Sequence, residues 1–344
     1  MADTPQTTSL LALGQFLRGD IVAQINRRSA LLRILPIKPG IGQNCAWAVE
    51  GDGALVENFA EGADAANFGS DSQLQALLSW ARVRSNFHVV GSARRAAESA
   101  MAGPGGVKDL VGRNMRNSSS KVASNINLQL YSGTGANQIV GLDTAIGNAT
   151  ATYATIDRTV SPANTFWVPT VSDPGSPTAL TFQQVRADRT AIFKLCGEMP
   201  DFALCSPEVF DTFGSLFDAN RHYISSVMVP ARSTQPITLD GGFEGIELDG
   251  MVFIKDKDAT QNQIYYINSN YIEIQAQLMD PPGMAELGVT APANDGYGTL
   301  PLGIRTEKLA KNGDSDRYMV MSELQLVVRR CNAMGVRKNI LLAT

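Results

Sequence analysis

The sequence predicts an α+β protein made of two lobes, at least one of which is discontinuous along the chain. Apolar residues recur at helical spacing over 106–131, and they alternate with polar residues, as in a strand, near the end of the chain. Between these two stretches, from 141 to 298, segments typical of helices and of strands follow one another. The final strand lies too far from the long helix to be its hairpin partner, so the middle stretch forms an inserted lobe.

The composition fits a folded protein whose surface contacts other protein. The chain has 344 residues, 44% of them hydrophobic, which is enough for about two domains. Only 18% are charged, which is fewer than in most globular proteins. The net charge of -4 argues against a strong hold on a phosphate backbone. The sequence contains neither a long apolar run nor a secretion signal, so we expect synthesis in the cytoplasm and no membrane contact.

The N-terminal stretch predicts an amphipathic helix over 5–28. Pro5 suits the first helical position, and apolar residues fall on one face of this helix. The helix is expected to end before Pro36 and Pro39.

The next stretch, 43–89, predicts a long hairpin with an irregular tip. Two strand-like runs, NCAWAVE and WARVRSNFHVV, flank a middle part rich in Gly, Ala and Asp. No Lys or Arg occurs between Lys38 and Arg82. The acidic residues of this segment are Glu50, Asp52, Glu57, Glu61, Asp64 and Asp71. Since a long loop with little apolar content is hard to stabilise inside an isolated domain, we expect it to be either mobile or docked on another surface. Docking on a neighbouring subunit is the sharper hypothesis.

The long helix predicted over 106–131 carries the opposite charge. It follows a Gly- and Pro-rich break at 103–106. Its polar face carries the basic residues Lys108, Arg113, Arg116 and Lys121. The same chain therefore encodes both an acidic segment and a basic surface that could receive it.

The middle stretch predicts a separate lobe of helices and strands. FQQVRADRTAIFKLC and SPEVFDTFGSLFD have helical patterns, whereas DFALCS, GMVFIKD and QIYYINSNYIEIQ have the character of strands. The run YMVMSELQLVV alternates as a half-buried strand does. Together these segments place helices and strands in both lobes.

No catalytic motif is present in the sequence. The only histidines are His88 and His222, and neither stands in a known signature. Cys205, Ser206 and His222 come nearest to a nucleophilic set, but Ser206 and Pro207 form a good helix start. The four cysteines are far apart, which indicates buried thiols and no zinc site. We therefore expect the protein not to be an enzyme.

No cofactor or metal motif is present either. The sequence around Gly133 and Gly135 lacks the third glycine of a dinucleotide fingerprint and follows a helix, so we expect a turn there. The acidic pairs Asp256/Asp258 and Asp314/Asp316 lack the ligand spacing of a calcium loop. We interpret both pairs as solvated turns.

From Gly42 onward, the order of these features resembles the major capsid proteins of tailed bacteriophages with the Hong Kong 97-like fold. The strings that carry the resemblance are LQLYSGTG, GLDTAIG, TYATIDRTVSPANTFW, DFALCSPEVFDTF and KNGDSDRYMVMSELQLVVRRCNAMG. The resemblance implies an N-terminal arm (1–42), an extended loop (43–89), an axial domain (141–298), and a peripheral domain made of 90–140 and 299–344 with a spine helix over about 106–131.

The resemblance also implies a function. The subunit would form hexamers and pentamers of an icosahedral shell, in the virion, around packaged double-stranded DNA. The extended loop of one subunit would lie over the peripheral domain of its neighbour. The partners would be further copies of the chain and a portal, with a decoration protein as a further candidate.

Two departures from the family refine this expectation. Some members cross-link through a Lys in the extended loop, but no Lys occurs between Lys38 and Lys108, so we predict a non-covalent shell. The sequence shows no long charged coiled-coil region before the arm, which favours a separate scaffolding protein unless an upstream segment has already been removed. Two alternatives stay open: the shell of an encapsulin-type protein compartment, and a cytosolic α/β hydrolase that uses Cys205 and His222.

Overall fold

The computed structural model describes residues 29–40, 42–51, 58, 60–61, 73–93, 107–159, 165–216, 227–229, 237–239, 245–277, 303–310 and 313–342. The helix predicted over 5–28 lies outside these residues, as do the side chains of 107–113. The described α-helices are α1 (Ala30–Ile34), α2 (Val107–Ser132), α3 (Leu142–Ala145), α4 (Phe182–Cys196) and α5 (Pro207–Ser215).

The strands are numbered in chain order. The first six are β1 (Ile37–Gly40), β2 (Asn44–Glu50), β3 (Gln73–Ser79), β4 (Ala81–Val90), β5 (Thr170–Ser172) and β6 (Thr178–Ala179). The next six are β7 (Phe202–Cys205), β8 (Val227–Val229), β9 (Ile237–Leu239), β10 (Gly245–Leu248), β11 (Met251–Lys255) and β12 (Ile264–Ile267). The last five are β13 (Ile272–Gln277), β14 (Arg305–Leu309), β15 (Ser315–Val328), β16 (Gly335–Arg337) and β17 (Ile340–Leu341).

The long strand β15 is the centre of a five-stranded sheet. It pairs antiparallel with β4 from Ser315 to Leu324, and with β14 and then β13 along its other edge. Its first part alternates between buried and partly exposed residues, as the sequence predicts, whereas every residue from Ser322 onward is buried. The predicted half-buried strand is therefore confirmed for its first part only, because the second part is covered on both faces.

The helix α2 packs on β4 and β15 of this sheet. Its bounds, Val107–Ser132, confirm the helix predicted over 106–131. Val122, Ile126 and Leu130, at intervals of four residues, are all buried. The apolar stripe read from the sequence is thus the face that the helix turns toward the sheet.

The partner of the first strand in the predicted hairpin was assigned wrongly. NCAWAVE is β2, but it pairs with β3, from Asn44 opposite Ser79 to Glu50 opposite Gln73. WARVRSNFHVV contributes β4, which pairs with β15. Between β3 and β4, the Trp80 indole N–H donates to the Gly42 carbonyl oxygen (3.0 Å), and its ring lies over Gly40, where a side chain would not fit. The chain changes its pairing partner at this residue.

A six-stranded sheet, in the order β10-β11-β7-β12-β16-β5, forms the second layer. The helix α4 confirms the predicted helical segment; it begins with a capping box at Thr181 and ends at Gly197, whose φ of 77° is left-handed. The helix α5 begins as predicted, since the Ser206 side chain accepts from the Val209 N–H and Pro207 follows it. Both helices therefore begin where local chemistry favours it, and α4 also ends at a residue suited to a helix end.

Each of the two sheets contains one strand from the stretch that the sequence assigned to the other domain. The strand β13, from the stretch predicted as axial, lies in the sheet of β15. The strand β16, from the stretch predicted as peripheral, lies between β12 and β5 in the six-stranded sheet. The domain boundaries predicted from the sequence stay a prediction. Residues of both sheets also share one hydrophobic core.

The acidic turns predicted to be solvated contain two buried carboxylates, so that expectation is wrong for Asp256 and Asp316. Asp256 is 4% exposed and accepts from the Ala30 N–H (3.2 Å) and from the Asn127 side chain (3.1 Å). Burial raises its pKa. Asp316 is 7% exposed and lies 3.5 Å from the Lys308 ammonium group. Asp256 thereby joins α1, α2 and the end of β11.

Glu273 on β13 is fully buried between two cations, Lys38 (2.5 Å) and Arg329 (2.6 Å). Burial raises the pKa of this carboxyl, but the hydrogen bonds from Arg329 and Lys38 outweigh burial and lower it below the ordinary 4.5. A lowered carboxyl pKa adds stability above pH 4.5, and that stability is lost as the pH falls through the folded-state pKa.

We therefore expect Glu273→Gln to lower the free energy of unfolding at pH 7 by about 1 to 2 kcal/mol, because both cations lose their charged partner while retaining access to water. At about pH 3.5 the difference between variant and native chain should shrink. Urea unfolding at both pH values measures this, with the exposed Glu247→Gln as control. An equal loss at both pH values would contradict the ionic origin of the effect.

Candidate subunit interface

The β2–β3 ribbon carries the acidic segment. Along β2, Cys45, Trp47 and Val49 are buried, whereas the residues between them are exposed. Glu50, at the end of β2, and Glu61, in a turn, are both exposed. The other four predicted acidic residues, Asp52, Glu57, Asp64 and Asp71, lie outside the described residues. The ribbon therefore packs one face on the lobe and extends toward residues 51–72.

A basic groove lies between β4 and α2. Its cationic side chains are Arg82 and Arg84 from β4 and Lys121 from α2. Amide side chains of Asn125, Gln129, Asn137 and Gln138 also line it, and its volume is about 500 Å³. Arg82 lies 3.6 Å from Glu323, a mostly buried carboxylate, and its own side chain stays 72% exposed. The groove therefore presents charge and amide donors that suit an anionic segment.

Of the predicted basic residues whose side chains are described, Lys121 and Arg116, one lines the groove. Lys121 is exposed and lies in the groove, whereas Arg116 is half-buried. Lys108 and Arg113 belong to α2, but their side chains are outside the described part. Sequence reasoning missed Arg82 and Arg84. Their signal was the alternation in WARVRSNFHVV, which places both on the exposed face of β4.

The chain is similar in structure to several solved proteins. No protein-family model matches the chain, and no curated protein matches it. The capsid subunit of cyanophage A-1(L) is similar with a TM-score of 0.67 and 19% identity, over 91% of this chain and 93% of that one. The capsid subunit of a native GTA particle has a TM-score of 0.57 and 10% identity, over 91% and 90% of the two chains.

A third solved structure is the SrpI encapsulin of Synechococcus elongatus, with a TM-score of 0.55 and 14% identity, over 91% of this chain and 89% of that one. All three similarities extend over 91% of this chain. The chain has the Hong Kong 97-like capsid fold. The α+β class and the fold predicted from the sequence are confirmed.

In this Hong Kong 97-like chain, Cys205 is placed as a structural residue. It is buried at the end of β7, and its thiol lies 3.8 Å from the Ile254 carbonyl oxygen. Burial raises the pKa of the thiol, which disfavours the thiolate that a nucleophile needs. Ser206 is used as a helix cap, and His222 lies outside the described residues.

The described ranges contain no group of three or more His, Cys, Asp or Glu side chains that could hold a metal ion. No helix within them has the length and hydropathy needed to cross a membrane. The sequence around Gly133 forms a turn closed by a bridge between Thr134 and Val140, as predicted. Within the described ranges, the basic groove is the candidate subunit interface.

Proposed function

We propose that the chain is the major capsid protein of a tailed bacteriophage and works by assembling with copies of itself. The observation that carries the proposal is the similarity to the cyanophage A-1(L) capsid subunit over more than nine-tenths of both chains. A similarity that extends over most of both chains supports a role as a shell subunit. In this proposal, the function of the chain is to bind other copies of itself.

The proposed shell is icosahedral, with the chain in hexamers and pentamers around packaged double-stranded DNA. It is held without covalent cross-links, since the segment between Lys38 and Lys108 has no Lys. Its partners are other copies, a separate scaffolding protein, a portal and, in some particles, a decoration protein. The chain is made in the host cytoplasm and ends in the virion.

In this proposal the acidic segment of one subunit lies in the basic groove of its neighbour. All charged residues between Lys38 and Arg82 are acidic. The groove is lined by the basic side chains of Arg82, Arg84 and Lys121. Exposed ion pairs contribute only about 0 to 1 kcal/mol each. The charges therefore set the register of neighbouring subunits, while apolar burial provides most of the association energy.

Expression of the chain, alone and with a candidate scaffolding protein, tests the proposed function. Electron microscopy and light scattering should show closed particles of megadalton mass. A strictly monomeric chain under every assembly condition would contradict the proposal. Electrophoresis in denaturing detergent should return the single 36.8 kDa chain from those particles, because no covalent joint is proposed.

The second candidate is the shell of an encapsulin-type compartment, which the similarity to the SrpI encapsulin supports. The two candidates differ in what the particle encloses. Particles purified from the native source should contain double-stranded DNA if the chain is a phage protein, and a protein cargo if it is an encapsulin. Nuclease-protected DNA of constant length would decide for the phage.

Charge reversal tests the docking of the acidic segment. We expect the double variant Arg84→Glu, Lys121→Glu to raise the concentration needed for assembly about tenfold, because attraction becomes repulsion at two positions. Adding Glu57→Lys and Glu61→Lys to it should restore part of the assembly. The control is Lys194→Glu, which reverses one charge at an exposed position on α4, half the charge change of the double variant. Assembly of the double variant at the native concentration would contradict groove docking.

A further inference from the structure

We propose that Asn125 on α2 determines the specificity of the basic groove, because its side-chain amino group is held in place to donate to one carboxylate of the acidic segment. The inference rests on the proposed docking of that segment in the groove of a neighbouring copy, and it names the chemical group that the groove recognises. Three observations carry it: a fixed backbone donor at Ile139, a relay of side-chain amides, and the position of Asn125 beside Lys121.

The relay begins at a backbone N–H that the fold holds in place. Ile139 is buried in the turn that follows α2, and its N–H donates to the side-chain oxygen of Gln129 (3.1 Å). The turn is fixed on both sides of this bond. The Gly133 N–H donates to the Gln129 carbonyl oxygen (2.9 Å), and the Val140 N–H donates to the side-chain oxygen of Gln325 (2.8 Å).

The direction of this first bond fixes the orientation of two side-chain amides. A backbone N–H can only donate, so the Gln129 atom that meets it is the oxygen, and the other end of that amide is the amino group. This amino group lies 2.5 Å from the side-chain oxygen of Asn125, to which it donates. The oxygen of Asn125 is therefore directed toward Gln129, and its amino group is directed away from Gln129.

The relay places two donors side by side on α2. Lys121 and Asn125 are both exposed, both line the groove, and are four residues apart on one helix face. Side chains at this spacing are neighbours, with about 5 to 6 Å between their Cβ atoms. With its oxygen used by Gln129, Asn125 has only an amino group to offer beside the Lys121 ammonium group. An anionic oxygen between the two would accept from both.

This arrangement selects a carboxylate over an uncharged amide. A carboxylate has acceptors only, and its two oxygens can take hydrogen bonds from Asn125 and Lys121 together. The side chain of Gln or Asn would bring one oxygen and an amino group, and that amino group would meet further donors of the groove. Such a mismatch discriminates against the wrong ligand as effectively as a good contact favours the right one. Gln129 is the positioning residue, since it acts through Asn125.

A double-mutant cycle on assembly of the full-length chain tests the relay. Asn125→Ala removes the donor at an exposed helix position, and it should raise the concentration needed for assembly about fivefold. Gln129→Glu retains an acceptor for the Ile139 N–H but has no donor for Asn125, so the Asn125 amide turns round and directs its oxygen into the groove. In that background Asn125→Ala should not raise the concentration further, because it removes an acceptor that repels a carboxylate.

Light scattering at fixed ionic strength measures the concentration for all four chains of the cycle. The charge that Gln129→Glu adds is present in both members of the second pair, so the comparison between pairs cancels it. The matched control is Asn117→Ala, the same substitution at another exposed position of α2. It should leave the concentration needed for assembly within about twofold of the native value.

Two results would overturn the proposal: an equal rise from Asn125→Ala in both backgrounds, or unchanged assembly of Asn125→Ala in the native background. In either case, impaired assembly of the Arg84→Glu, Lys121→Glu variant leaves groove docking standing. A native chain that forms no particles removes the docking and this inference together. If Gln129→Glu does not fold, Gln129→Met ends the relay without adding charge. A smaller rise from Asn125→Ala there than in the native chain supports the proposal, and an equal or larger rise overturns it.

Discussion

Replacing Asp188 with alanine is expected to lower the free energy of unfolding by about 3 to 5 kcal/mol, because it leaves a buried guanidinium without its charged partner. Asp188 on α4 is 4% exposed and accepts two hydrogen bonds from Arg337 on β16, at 2.6 and 2.9 Å. It also accepts from the hydroxyls of Ser172 (2.6 Å) and Tyr266 (3.1 Å). One carboxylate thus connects a helix to three strands of the six-stranded sheet.

Urea unfolding of the unassembled chain measures this loss. Asp211→Ala, at an exposed position on α5, is the control and should change the unfolding free energy by less than about 0.5 kcal/mol. The double variant Asp188→Ala, Arg337→Met should recover most of the loss, since a buried ion pair can often be replaced by apolar side chains at little cost. A single variant within about 1 kcal/mol of the native chain would show that Arg337 finds another partner or reaches water.

Replacing Arg158 with alanine is expected to cost about 2 to 4 kcal/mol, for a different reason. Arg158 is 6% exposed, and its guanidinium donates to the carbonyl oxygens of three residues, Trp167 (3.1 Å), Asn148 (2.6 Å) and Ala145 (2.5 Å). It also lies 5.5 Å from the centre of the Tyr153 ring. Alanine would leave three backbone acceptors without their donor and remove support from Tyr153.

The conservative variant separates charge from geometry. Arg158→Lys keeps the positive charge but cannot reach three carbonyl oxygens in a plane, so it should lose at least half as much stability as the alanine variant. Urea unfolding of the unassembled chain measures both losses. Full stability in Arg158→Lys would show that charge alone is sufficient.

The elements of this fold that were predictable from sequence are those with a strong local pattern. The helix α2 was predicted to within one residue at each end because its apolar residues recur at helical spacing and a Gly- and Pro-rich segment precedes it. The start of α5 was predictable because Ser206 and Pro207 are a cap and a first-turn residue. These signals depend on residues close to each other in the chain.

The pairing of strands was not predictable in the same way. Alternation identifies β2 and β4 as strands, but it does not say that β4 pairs with β15 more than 200 residues later. The burial of Asp256 was also missed, since its partners Ala30 and Asn127 come from distant parts of the chain. A carboxylate in a DxD sequence is typical of a turn until the groups that cover it are known.

The sequence predicted the charges of the candidate site but not all of the residues that form it. The acidic segment and Lys121 follow directly from the sequence, whereas the contribution of β4 depends on the packing of that strand beside α2. Helical periodicity favoured a binding surface for the acidic segment formed by one face of α2 alone. The groove needs a strand and a helix together, and no pattern within one element could indicate it.

The position of β15 also bears on the synthesis of the protein. Its hydrogen-bonding partners β4, β13 and β14 all precede it in the chain, so the ribosome makes three strands before the one on which they pair. A nascent chain without residues 315–328 leaves the edges of those strands unpaired, which invites aggregation. A chain that ends before residue 315 also lacks β15, the strand that pairs with β4 and on which α2 packs. It therefore lacks the support of the groove between α2 and β4. Translation must therefore pass β15 before a subunit can join an assembly, which excludes truncated products from it.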